Sequence, residues 1–326
     1  VTGGGIGLVG GAVELDKARV SSVGELVSGD ITVEGSSLTI REGQLWTEAT
    51  ASGNSGAISV TVSGDVLIED LSDPAETGAG LDRGEFIESI RNKDQTYGDA
   101  TGILAIGSGT GSGGGIVIDS TDSISINGGG LYSVNKTKTD ESENVSGNIG
   151  VSSDSISIEN GSLKYDGDDV DGGGIRIEVA GGANISGSSY LSSANGILLS
   201  GDILDFKASL LESKSAVLQI KNSSRVLEKS EFFVDSIIME SSGLGFDDSD
   251  FLFQDSANVT IAGNVNLAGQ SRISGEIQKA STFDLLADSV SVNEKSVISA
   301  GYALNMKIGS EVKLTEGSLL KVRSHG

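Results

Sequence analysis

The chain has 326 residues, with 48 glycines, 1 proline, no cysteine, 4% aromatic residues and a formal net charge of −24. This composition excludes collagen, which needs proline and a strict three-residue glycine period, and it excludes any disulfide scaffold or thiolate metal site. The negative charge argues against binding a nucleic-acid backbone, and 37% hydrophobic residues in a clear periodic pattern argue against disorder.

Val1 to Gly11 has neither the basic start nor the apolar run of a signal peptide, and the chain opens like something cut from a longer one. No run of about eighteen apolar residues occurs, so no membrane-spanning helix is expected. The dominant pattern along the chain is an internal repeat. Ile6/Leu8 precede Val13/Leu15, and Ile31/Val33 precede Leu38/Ile40 and then Leu45. The same frame fits Ile58/Val60 with Val66/Ile68, and Ile116/Ile118 with Ile124/Ile126 and Leu131. It continues in Ile149/Val151 with Ile156/Ile158 and Leu163, and in Ile175/Ile177 with Ala183/Ile185. Period-two alternation is the strand signature, and the intervening glycine, asparagine, aspartate and serine suit tight turns.

Three short strands in a unit of roughly 20 to 26 residues define a solenoid coil. The fold expected is therefore a single parallel β-helix over residues 1–326. Residues 3–196 form glycine-rich coils, and residues 197–326 form more regular coils of about 20 residues. In the second part the coils are read as 197–215, 216–236, 237–256, 257–276, 277–301 and 302–324, giving about twelve in all, or roughly 55–60 Å of rod at the parallel-strand spacing. Small aliphatic residues suit a narrow interior that large rings would overfill. Two insertions interrupt the coils. Residues 69–101 contain Pro74 and a short helix expected at 83–93, and residues 132–145 are strongly polar.

The turn-and-strand units Gly53-Asn54-Ser55-Gly56-Ala57-Ile58-Ser59-Val60 and Gly147-Asn148-Ile149 resemble those of filamentous haemagglutinin-like exoproteins. So do Ser37-Leu38-Thr39-Ile40-Arg41-Glu42-Gly43-Gln44-Leu45 and Ile156-Ser157-Ile158-Glu159-Asn160-Gly161-Ser162-Leu163. The resemblance covers residues 3–196 and becomes generic β-solenoid beyond them. It implies a right-handed β-helical shaft of a secreted or bacterial cell-surface protein, exported through an outer-membrane transporter by two-partner secretion. The partners it implies are cell-surface glycans or proteins, or copies of the same chain. The family's amino-terminal secretion domain is not recognisable in this sequence.

Four groups of residues are candidates for chemistry. Asp166, Asp168, Asp169 and Asp171, and separately Asp247, Asp248 and Asp250, place oxygen ligands at spacings that suit calcium, although neither matches an EF-hand loop. Solvated turns between coils are the alternative for both. In the third strand, if Leu45, Ile103 and Leu131 point inward, then Trp46, Leu104 and Tyr132 point outward as a ladder about 4.8 Å apart. Exposed, such a strip would contact a glycan ring or a protein. Alternatively the first insertion folds over it, with Phe86 and Ile90 as partners. Carboxylate pairs for glycosidic cleavage, Asp168/Asp169 or Asp247/Asp248, are adjacent in sequence and so face opposite ways on a strand. The one histidine, His325, lies in the terminal tail, and neither a serine triad nor a P-loop can be assembled. Sequons such as those at Asn135, Asn144, Asn184, Asn222 and Asn258 are what so much serine and threonine produces by chance. The sequence thus points to a non-catalytic adhesive rod, with a self-assembling filament second and a polysaccharide-active enzyme third.

Overall fold

The computed structural model describes residues 4–51, 53–71, 100–107, 113–135, 147–166, 174–220, 227–276, 279–315 and 317–322. Every regular element among them is a β-strand, in a 30-stranded sheet whose registered pairings are all parallel. The expected parallel β-helix is the observed fold. No helix among the described residues is long and apolar enough to cross a membrane, and the helix expected at 83–93 lies outside them. Contacts divide the chain into two compact units, Val1–Ala180 with Ser188–Ile197, and Gly181–Gly187 with Leu198–Gly326.

In the first unit each coil contributes three short strands, as Ile31–Gly35, Ser37–Arg41 and Gln44–Ala49 do in the second coil. Their order defines faces A, B and C. On face A, Ile6, Ile31, Ile58, Ile116, Ile149 and Ile175 are paired in one inward row. On face B, Leu15, Ile40, Ile68, Ile126 and Ile158 do the same. On face C the row is Val20, Leu45, Ile103, Leu131, Leu163 and Leu191. Away from the first coil these side chains are buried, and each contributes about 1.5–3 kcal/mol of transfer free energy. Like stacks on like because a coil-to-coil slip of one residue would turn every apolar side chain to solvent.

The second inward row of face C, Ser22, Thr47, Ala105, Ser133, Tyr165 and Ser193, is mostly hydroxyl-bearing. Thr47 Oγ1 donates to Gly56 O at 2.7 Å, and Ser133 Oγ lies 2.9 Å from Gly114 O and 2.7 Å from Gly147 O. These bonds tie face C to the glycine corner that leads into face A. Glycine is required at that corner by the close approach of successive coils. A Cβ on Gly114 would lie 2.0 Å from Gly56 O, and one on Gly56 would lie 2.3 Å from Gly29 O. Much of the chain's glycine content is therefore a column of backbone stacked on backbone.

The corner between faces B and C is left-handed in both units, at Lys17, Glu42, Asn160 and Ser188 in the first, and in the second unit every such corner is followed by serine. Ala208, Lys229, Asp248, Gln270 and Lys295 are left-handed, with φ between 46° and 63°, and each is followed by a fully buried serine. These serines bond to one another along the stack. Ser209 N donates to Ser230 Oγ, Ser230 N to Ser249 Oγ and Ser249 N to Ser271 Oγ, at 3.0–3.2 Å. The hydroxyls of Ser209, Ser230 and Ser249 each donate to the carbonyl two residues back, at 2.8–3.0 Å. The hydroxyl thus completes the backbone bonding at a bend where the strand ladder cannot.

Two expectations need correction here. Rings do not overfill this interior: Phe206, Phe232, Phe246, Phe251, Phe253 and Phe283 are all buried in it. Phe206 meets Phe232 edge-on with centroids 4.8 Å apart, and Phe253 and Phe283 lie tilted with centroids 5.9 Å apart. Phe283 stacks on Ala257 in the inward row that also holds Ala216 and Ile237. The coil frame also slips late in the chain. Inward positions run Ala216, Ile237, Ala257, Phe283 and Leu304, so the last two coils begin later than the apolar residues Ile277 and Tyr302 suggested. The segment between Arg272–Gly275 and Thr282–Val292 adds residues to that coil.

Candidate functional site

The outward ladder on face C of the first unit has the expected register. Trp46 pairs with Leu104, and Leu104 with Tyr132, opposite the inward row Leu45, Ile103 and Leu131. Its environment is not a solvent-facing strip. Trp46 is 3% exposed, Leu104 0% and Tyr132 6%, and with Ile106 and Val134 they form a buried apolar cluster against which Ala100 packs. Strand Gly102–Gly107 is buried on both faces along its whole length. Gln44 Nε2 donates to Ala100 O at 2.7 Å, which holds the chain entering that strand against the neighbouring coil.

Polar groups complete the cluster. Trp46 Nε1 donates to Glu48 at 3.1 Å, and the Arg19 guanidinium stands 4.6 Å from the Trp46 ring centroid. Gly130 leaves room for the Tyr132 ring, since a Cβ there would lie 2.5 Å from the phenolic oxygen. Gly102, on the next coil, has φ +139° and would press a Cβ to 2.0 Å from Gly130 O. Face C is thus a sheet with a core on each side in the coils flanked by the two long connections. The buried positions of Trp46, Leu104 and Tyr132 replace the expectation that they contact an external partner. Phe86 and Ile90, the expected covering residues, lie outside the described residues. The second insertion also starts later than expected, because Tyr132 belongs to strand Gly130–Asn135.

The Asp247/Asp248/Asp250 cluster does not form a cage. Asp250 is 7% exposed, and Arg272 Nη2 donates to its carboxylate at 2.6 Å. That hydrogen bond raises the Arg272 pKa from its ordinary value, against an opposing effect of burial and with help from the Asp250 and Glu231 charges. Asp247 and Asp248 are exposed, one ending a strand and the other holding the left-handed corner. Because Asp250 turns to Arg272, the three carboxylates do not converge as calcium ligands. Asp166 follows strand Ser162–Tyr165, while Asp168, Asp169 and Asp171 lie outside the described residues. Among the described residues no three acidic or histidine side chains form a metal-sized group.

Sequence reasoning missed a shallow trough on face A of the second unit, with a volume of about 530 Å³. Its floor is three adjacent strands carrying residues 258–260, 284–286 and 304–307. Pairing places Asn258, Asp284 and Asn305 in one outward row and Thr260, Leu286 and Lys307 in the next. Asn305 Nδ2 donates to Asp284 Oδ1 at 2.7 Å. Leu286 is 46% exposed, and Ile238, one coil from Asn258 in the same row, is 48% exposed. The only signal in the sequence is asparagine, aspartate and asparagine at equivalent positions of three coils, hidden by the late slip in coil length. A second hollow of about 490 Å³ lies at the corner column, lined by Asp248, Gly269, Gln270, Glu294 and Lys295, where Gly269 N donates to Glu294 at 2.6 Å. A scan against protein-family models and searches of curated proteins and solved structures find no match to this chain.

Proposed function

We propose that the chain is a structural and adhesive β-helical rod of a secreted or bacterial cell-surface protein, of the filamentous haemagglutinin-like kind. The observation that supports this reading most is the alignment of its repeat motifs in space. Ile58 of the Gly53–Val60 motif and Ile149 of Gly147-Asn148-Ile149 both pair with Ile116, so the repeats that resemble the exoprotein family stack in one register. Continuous parallel ladders resist bending and shear, and a charge of −24 on the chain keeps such a scaffold soluble. The lack of cysteine and the single proline suit passage of an unfolded chain through an outer-membrane transporter, with folding outside. The reading includes no catalytic step and no resident cofactor. Partners are cell-surface glycans or proteins. The test is adhesion of beads coated with the purified chain to bacterial and epithelial surfaces. Saturable adhesion that free chain competes away is expected, and its absence on every surface would sink the reading.

A self-assembling filament is the second reading, and one feature favours it. Strands Ala303–Leu314 and Leu319–Val322 form the last coil among the described residues, and the inward-row side chains Val312, Leu314 and Val322 are 45–48% exposed there. Apolar inward positions of this kind fit one more coil of like pattern, which a second copy would supply. Electron micrographs showing end-to-end polymers at micromolar concentration would support assembly, and monodisperse particles would count against it.

A further inference from the structure

We infer that the face-A trough of the second unit binds an extended neutral oligosaccharide across the strands, an inference that rests on the adhesive reading above. The concavity is lined by residues of three adjacent strands whose register the pairing fixes. Parallel pairing sets the coils about 4.8 Å apart, which is comparable to the length of one sugar unit in an extended chain. The row Asn258, Asp284 and Asn305 therefore offers one planar, two-headed polar group per sugar. An amide or carboxylate fork matches the paired hydroxyls of a pyranose, with Asp284 accepting and the amides both donating and accepting.

The Asn305–Asp284 bond at 2.7 Å holds both side chains in place before ligand arrives and occupies only one of the two Asp284 oxygens. Leu286 and Ile238 supply exposed apolar surface beside that row, suited to the C–H faces of the rings. Thr260 and Lys307 complete the second row with a hydroxyl and an ammonium. One carboxylate and one ammonium cancel inside the trough, and the rest of its polar lining is neutral. The net charge of −24 repels a polyanion. A neutral glycan is the class that this lining and this field favour together.

The test titrates the purified 326-residue chain with cellohexaose, xylohexaose, maltohexaose and chitohexaose, and with a hexamer of galacturonic acid, by calorimetry. At least one neutral hexamer should bind saturably. Asp284→Ala and Asn305→Ala should each weaken it about tenfold, as loss of a hydrogen bond to a charged or fork-shaped group does. Ser125→Ala, on the other unit, should leave binding unchanged. Circular dichroism checks that the variants are folded, and Asp284→Asn, which keeps the shape and the Asn305 contact, provides a second variant with retained fold and weakened binding. Failure of all four neutral hexamers to bind, binding of the acidic hexamer alone, or equal binding by all the variants would overturn the inference. Adhesion of coated beads that persists with Asp284→Ala while the hexamers fail would remove the trough and leave the adhesive reading standing. Hexamer binding without adhesion to any surface would do the reverse.

Discussion

Replacing Leu104 by alanine separates a buried face-C cluster from a solvent-facing strip. Leu104 is 0% exposed and packs with Trp46, Ile106, Tyr132 and Val134. Removing its branched end loses the transfer free energy of the deleted carbons and leaves a cavity, so the first unit should lose about 2–5 kcal/mol. A side chain on an exposed strip would cost within about 0.5 kcal/mol. Trp46 is the only tryptophan in the chain and sits in the cluster, so its emission reports both the environment and the unfolding. Urea denaturation followed by Trp46 fluorescence should show a lowered midpoint. The native emission should shift to the red, and acrylamide should quench it more readily. Adding Tyr132→Ala should give a combined loss that departs from the sum by about 0.5–3 kcal/mol, because the two side chains line one cavity. An unchanged midpoint and unchanged emission for Leu104→Ala would refute the second core.

Other substitutions test the two kinds of corner and the surface. Gly102→Ala should destabilise by more than about 2 kcal/mol, because the new methyl meets Gly130 O at 2.0 Å in a backbone with φ +139°. Gly150→Ala, whose Cβ would find nothing nearer than 4.0 Å, should instead stabilise by about 0.4–1 kcal/mol in the same denaturation assay. Ser230→Ala removes the acceptor of the buried Ser209 N–H and the donor to Glu228 O, and should cost about 1–3 kcal/mol. A loss below that range would mean the serine column is ornament. The Asp65 carboxyl is held below its ordinary pKa by hydrogen bonds from the Ser123 hydroxyl and backbone N–H. A carboxyl depressed on folding stabilises above its ordinary pKa and loses that contribution as pH falls through the lowered value. Carbon-13 titration should therefore show Asp65 ionised to lower pH than the ordinary aspartate value, and Ser123→Ala should move it back toward that value.

How much of the structure is legible in the sequence depends on period. In the first unit the inward rows, the register of motif on motif and the outward direction of Trp46, Leu104 and Tyr132 all come from alternation. A strand has only two faces, so knowing one residue's direction assigns its neighbours. The exposure of that outward row does not come from it. Whether an outward face is wet depends on what else packs there, and Gln44 holding Ala100 against the ladder is a contact between residues 56 apart in the chain. The trough is hidden for a related reason, since its row joins positions 258, 284 and 305 through coils of unequal length.

Composition showed a chain with little to build a wide core, and the stacked coils show where its glycines go. Repetition alone determined that this is a parallel β-helix and how its strands align, because each coil can bury its apolar residues only against a copy of the same pattern. Tertiary structure decided the rest. It turned Asp250 to Arg272 instead of a cation, set serine hydroxyls at left-handed corners, admitted phenylalanines to the interior and gave face C its second core. Those outcomes come from contacts between residues a coil or more apart, whose distances the local pattern does not encode.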